Sequence, residues 1–162
     1  MMGPEILGQL LDRHARALTL YARQWCGTPE DVVQEAFVKL ATQRPPPERV
    51  VPWLYGVVRN MAITAARKEG RRRRHETAAA MRADSWFAAE VGAGLDGTVA
   101  TGMLLALPAE EREAITLHLW SGLTFDEIGE VTGVSSSTAH RRYASGLDHL
   151  RERLNVDVER TS

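Results

Sequence analysis

Five histidines and one cysteine are the residues with which this chain could do catalytic or metal chemistry, and their spacing argues against both. His14, His75, His118, His140, His149 and Cys26 are scattered, with no His-x-x-x-His pair, no Gly-x-Ser-x-Gly turn and no phosphate-binding glycine loop. His118 sits amid Leu117, Leu119 and Trp120, which suits a packing role with one hydrogen bond. Cys26, at a helix end, reads as structural, and a single cysteine cannot close an internal disulfide. No catalytic residue, metal or cofactor is expected. The chemistry that the spacing does favour is recognition of a polyanion.

The most specific pattern runs from Leu123 to Leu154. Thr124 and Glu127 spell a capping box, with Leu123 and Ile128 placed for a hydrophobic staple. A two-turn helix ends near Val131, and Gly133 supplies the backbone freedom of a tight turn. Ser135 or Ser136 then caps a second helix whose apolar positions are Ala139, Tyr143, Leu147, Leu150 and Leu154, one stripe at helical spacing. With that stripe inward, Ser137, Thr138, Arg141, Arg142 and Ser145 turn outward and His140 lies at the edge. Short polar residues let a helix start approach DNA closely, and arginines one turn later can reach a guanine edge or a phosphate. The pattern predicts a helix-turn-helix that binds duplex DNA. An ordinary helical hairpin with a solvated polar face is the competing reading.

The charge distribution points the same way. The formal net charge is only −1. Residues 59–82 nevertheless carry eight basic and two acidic side chains, and residues 83–130 carry one basic and nine acidic. Segregation of this kind implies a local polyanion contact and not a generally adhesive surface.

The elements that must position these residues are all helical, since no useful β-type alternation appears. A first helix is predicted from about Pro4 to Trp25, with Ile6, Leu10, Leu11, Leu18 and Tyr21 on or near one face. Thr28 starts the next, with Pro29 first and Asp31 answering Thr28 in a box-like arrangement. Its buried stripe is Val32, Val33, Ala36, Phe37 and Leu40, opposite Asp31, Gln34, Glu35 and Lys39. Pro45-Pro46-Pro47 breaks that helix. Pro52 opens a third, with Trp53, Val57, Met61 and Ala65 inward and an end near Phe87. Arg59, Asn60, Thr64, Arg67 and Lys68 fall beside or opposite the stripe and lead into Arg71-Arg72-Arg73-Arg74. Gly92, Gly94 and Gly97 mark a linker, and a second helical set begins near Val99.

Three segments in this order resemble the extracytoplasmic-function group of the sigma-70 family of bacterial RNA polymerase sigma factors. Thr-Pro-Glu-Asp-Val-Val-Gln-Glu-Ala-Phe (28–37) resembles the acidic helix by which those factors grip the polymerase clamp. Trp-Leu-Tyr-Gly-Val-Val-Arg-Asn-Met-Ala (53–62), followed by the basic run to Arg74, resembles the helix that reads the promoter −10 element. Leu-Pro-Ala-Glu-Glu-Arg-Glu-Ala (107–114) and the helix-turn-helix after it resemble the domain that binds the −35 element. Together they span most of residues 5–154.

The resemblance implies two small helical domains at 1–90 and 99–155, joined by a linker at 91–98. It implies core RNA polymerase and promoter DNA as partners, an anti-sigma factor as a further one, and no enzymatic activity. Asp31, Gln34, Glu35 and Lys39 are then expected on polymerase. Arg59, Asn60, Thr64, Arg67, Lys68 and Arg71, Arg72, Arg73 and Arg74 are expected on the −10 element, where Trp53 or Tyr55 could stack a base. Ser136, Ser137, Thr138, His140, Arg141, Arg142 and Ser145 are expected on the −35 element. The chain departs from the family in the proline-rich loop Thr42 to Val51, where relatives capture a flipped base, and at Thr64, where many carry an acid. His140 and Ser145 replace residues that are commonly basic, which implies an altered −35 preference.

Two other function classes compete with this reading. A stand-alone helix-turn-helix regulator explains residues 123–154 but gives segments 28–37 and 53–74 no reason. An enzyme founders on the scattered histidines. No segment approaches the roughly 20 apolar residues that span a bilayer, and the start does not read as a signal peptide, so a cytoplasmic protein is expected, and separately a monomer when free.

Overall fold

The structure is a computed structural model that describes residues 2–73, 102–104 and 106–161. It is all-α: no strand occurs among the described residues. The chain divides into two compact units. The expected linker at 91–98, the helix start near Val99 and the third helix beyond residue 73 lie outside the described residues.

Among the described residues, three helices build the first unit: α1 (Pro4–Ala22), α2 (Pro29–Thr42) and α3 (Val50–Arg73). Proline occupies the first position of both α1 and α2, where its missing amide costs no hydrogen bond. The three pack against one another around Leu18, Tyr21, Ala36, Leu40, Leu54, Tyr55 and Val58. On α2 the buried face is the expected one, Val32, Val33, Ala36, Phe37 and Leu40.

Three local expectations need correction. The stripe on α1 is buried only toward its C-terminal end, while Ile6 and Leu11 are 53% and 43% exposed. Leu7 and Leu11 instead wall an open apolar groove opposite Phe37, Val38 and Ala41 of α2. On α3 the inward residues are Leu54, Tyr55, Val58 and Ala62, whereas Trp53, Val57, Met61 and Ala65 are half-buried. Both sets are apolar at helical spacing and lie about 100° apart around the axis, so only the packing of α1 and α2 chooses between them. Thr28 precedes α2 as expected, but its side chain makes no capping hydrogen bond. Its ψ of 53° differs from the extended backbone that aims a cap hydroxyl at the third amide.

The described residues of the second unit form a helical turn at 102–104, α4 (Ala109–Ile115), a π-helical turn (Thr116–Trp120), α5 (Phe125–Thr132) and α6 (Ser136–Thr161). Glu110 and Glu111 lie in the first turn of α4, where acids complement the helix dipole. α4 packs across α6, and Leu104, Leu107 and Ile115 form a core against which Tyr143 and Leu150 rest. His118 fills its predicted packing role: its Nδ1 is 2.8 Å from the Leu123 carbonyl and its ring stacks on Phe125. The far end of α6 runs past this core, leaving Leu154, Val156 and Val158 exposed. No described helix is long and apolar enough to cross a membrane.

Candidate nucleic-acid interface

The helix-turn-helix is set by short-range chemistry. The Glu127 amide donates to Thr124 Oγ1 at 3.2 Å, and the Thr124 amide donates to Glu127 Oε1 at 3.0 Å, which closes the capping box of α5. Gly133 ends α5 in the left-handed region at φ 75° and sends its amide to the Gly129 carbonyl. Gly129 must be a glycine for a different reason. A Cβ there would stand 2.6 Å from the Val134 carbonyl oxygen, so the chain after the turn could not cross α5. Ser135 then caps α6, its Oγ accepting from the Thr138 amide at 3.1 Å and donating to Thr138 Oγ1 at 2.9 Å.

Ala139 is buried at the head of the inward stripe, and this rotation decides what α6 offers to DNA. Ser136, Ser137, His140 and Arg141 are exposed, and Thr138 is half-buried beside them. The edge of the His140 ring meets Phe125, with centroids 4.9 Å apart and planes at 84°. Arg142 and Ser145 are differently placed. Arg142 Nη2 lies 3.7 Å from Glu110 Oε2 with its side chain only 26% exposed, and Ser145 donates to Glu111 Oε1 at 2.8 Å. Seven residues expected on one face thus divide into an outward group and a pair engaged with α4. The engagement of Glu110, Glu111 and His149 in contacts between α4 and α6 was not expected from sequence. Their signal was the spacing of Arg142, Ser145 and His149, three and four residues apart on one side of α6.

On the first unit, Asn60, Thr64, Arg67 and Lys68 are exposed along one side of α3, and Arg71 to Arg73 continue its last turn. Arg74 lies outside the described residues. Thr64 Oγ1 donates to the Asn60 carbonyl at 2.8 Å. Arg59 is half-buried, its guanidinium 5.7 Å from the centre of the Trp25 ring, and Trp25 in turn leans on Tyr21. Tyr55 is fully buried against Tyr21 and has no face for a base, which corrects the expectation that it could stack one. Trp53 remains half-exposed. Glu69 faces elsewhere, its carboxylate accepting the Gly27 amide at 3.2 Å and 3.3 Å.

The polar side of α2 is open. Asp31, Gln34, Glu35 and Lys39 are all exposed, opposite the buried stripe. Glu30 at the helix start is bonded to Arg23 at 3.1 Å. Its carboxyl is held below the usual range, first by its own backbone amide and then by the Arg23 guanidinium. Such a ridge can meet a partner protein without disturbing the core.

Comparison with known proteins places both units. Residues 10–72 match the model of sigma-70 region 2, and residues 100–150 match that of sigma-70, region 4. The RNA polymerase sigma factor CarQ of Myxococcus xanthus is 33% identical over 132 residues, covering 77% of this chain and 74% of that protein. The ECF RNA polymerase sigma factor SigE of Mycolicibacterium smegmatis is 27% identical over 164 residues, covering 90% of this chain and 60% of that protein. Among solved structures, CnrH in complex with the cytosolic domain of CnrY shares the fold, with a TM-score of 0.62 and 23% identity over 96% of this chain and 91% of that one.

Proposed function

The chain belongs to the extracytoplasmic-function group of the sigma-70 family, and from that premise we propose which of its surfaces carry each part of promoter recognition. It is a transcription initiation factor that directs RNA polymerase to promoter DNA. The match to region 2 gives segments 28–37 and 53–74 the reason that a stand-alone regulator would not supply.

In our reading the units extend over 1–90 and 99–155, with 91–98 between them. Asp31, Gln34, Glu35 and Lys39 of α2 bind the polymerase clamp. The outer side of α3, from Arg59, Asn60 and Thr64 through Arg67 and Lys68 to the arginines at 71–74, holds the separated strand of the −10 element. The exposed Arg67 and Lys68 meet phosphates at little cost, and the half-exposed Trp53 offers the apolar surface on which an unpaired base can rest. In the second unit, Ser136, Ser137, Thr138, His140 and Arg141 enter the major groove of the −35 duplex, with Arg142 and Ser145 at the inner edge of that surface. Bond formation stays with the polymerase.

The observation that carries this reading is the rotation of α6. Ala139 turns inward, so the serines, His140 and Arg141 of its first turns stand together in solvent. The protein acts in the cytoplasm, where polymerase and promoter are, and is a monomer before it binds polymerase. CnrH, which shares the fold, was solved with the cytosolic domain of CnrY, and this supports a further protein partner here, the expected anti-sigma factor. Run-off transcription with core polymerase and a genomic promoter library tests the assignment. Defined transcripts sharing upstream and −10 motifs are expected, and their absence would overturn it.

A further inference from the structure

At Gly146 of α6, side chains of α4 approach closely. A Cβ there would stand 2.7 Å from Ile115 Cδ1 and 3.3 Å from Glu111 Cβ. That approach carries the Glu111 carboxylate, 13% exposed, between two side chains of α6. Its Oε1 accepts from Ser145 Oγ at 2.8 Å, and its Oε2 lies 2.7 Å from His149 Nδ1. Beside it, Glu110 Oε2 lies 3.7 Å from Arg142 Nη2. Arg142, Ser145 and His149 share one side of the helix, distinct from the outward group of Ser136, Ser137, His140 and Arg141.

We propose that Glu111 is a positioning residue for promoter recognition: by gripping Ser145 and His149 together it fixes the rotation of α6 on α4, and so the angle at which His140 and Arg141 meet the duplex. The proposal rests on α6 being the DNA-reading helix. A carboxylate only accepts hydrogen bonds, so its two oxygens can hold a hydroxyl and an imidazole N–H at once. Glutamine keeps the bond to Ser145 but loses the charge that favours imidazolium.

The grip is sensitive to pH. The Glu111 hydrogen bond, then its charge, raises the His149 pKa above the ordinary value of 6.5, and Glu152 and Asp148 on the same helix add smaller contributions. Beside Glu111 on α4, Glu110 is engaged with Arg142. Because folding raises this pKa, the contribution is complete below about 6.5 and is lost as pH rises through the folded value.

Affinity for the upstream element is measured with the full chain on core polymerase, using the promoter identified by run-off transcription, between about pH 5.5 and 8.5. Native affinity should fall over this range by about two- to threefold more than that of His149→Gln or Glu111→Gln. His140 is common to all three proteins, so the comparison cancels whatever it contributes. Glu111→Ala and Ser145→Ala should each weaken binding and, combined, weaken it no further than Glu111→Ala alone, because Ser145→Ala breaks one of the two bonds that Glu111 makes. A native pH profile in both glutamine variants overturns the proposal, as does full additivity of the alanine pair. Should Glu111→Ala fail to fold, the pH profile of His149→Gln, at an exposed position, decides alone. Loss of upstream binding in the native chain would overturn the role of α6 itself, and is told apart because it precedes any variant.

Discussion

Arg141 and Arg142 are neighbours in sequence and opposite in circumstance. Arg141 is exposed at the open side of α6, with a long 3.5 Å contact to Thr138 Oγ1, whereas Arg142 is turned toward Glu110. Arg141→Ala should therefore weaken upstream DNA binding about tenfold, within the roughly 1–3 kcal/mol of a base-edge contact, and leave the thermal midpoint unchanged. Arg142→Ala should shift the balance toward stability, with a loss below about 1 kcal/mol for a partly screened ion pair and a smaller loss of affinity. Duplex titrations and thermal melts on both variants check the contrast. Cys26 is a second case in which surroundings decide behaviour. It is buried, its Sγ is 3.6 Å from the Ala22 carbonyl, and burial pushes the thiol pKa up. Alkylation of the native protein near pH 8 should run at least about tenfold slower than in denaturant, as a thiol report on the first unit.

The same two-residue signal gave a cap in one helix and none in another, and the difference lies in the backbone. Thr124 has ψ 164° and closes its box with Glu127, whereas Thr28 has ψ 53° and does not cap α2. Thr124→Ala should cost about 1 kcal/mol and Thr28→Ala far less, read from denaturant midpoints at constant slope. Gly129→Ala should cost more, about 2 kcal/mol, since the added carbon meets a backbone carbonyl that no side-chain rotation can move. The helix-turn-helix was legible in sequence because cap, turn and stripe are all written within a few residues of one another. What depended on distant partners was not. The inward face of α3 was misplaced by one position because its own sequence allows two apolar faces. The engagement of Ser145 was invisible because Glu111 lies 34 residues away along the chain. The ion pair of Arg142 was invisible for the same reason, its partner Glu110 being remote in sequence and adjacent in space.

For the molecule as a whole, near-neutral net charge combined with a strongly basic α3 sets how binding responds to salt. A chain with net charge −1 has little general attraction for DNA, so electrostatic affinity must come from local contacts. Glu35, exposed on α2, belongs to the protein partner and not to the nucleic acid in our reading. Glu35→Lys should reduce recruitment to core polymerase in pull-down assays while the circular dichroism spectrum stays native. It should leave the salt dependence of promoter opening unaltered once polymerase is saturated. Replacing Arg71 through Arg74 with glutamine should do the reverse. Recruitment is retained, and the slope of log affinity against log salt for the open promoter becomes shallower. The change should be about 0.7 for each single-strand phosphate no longer neutralised, or roughly 3 if each of the four arginines pairs with one. A fall in affinity at one salt concentration alone would not discriminate, because misfolding could also produce it. The slope does, since it counts the cations released from the strand. An unchanged slope would move the phosphate-binding cations off the end of α3, leaving Asn60, Thr64, Arg67 and Lys68 to hold the separated strand without the arginine run.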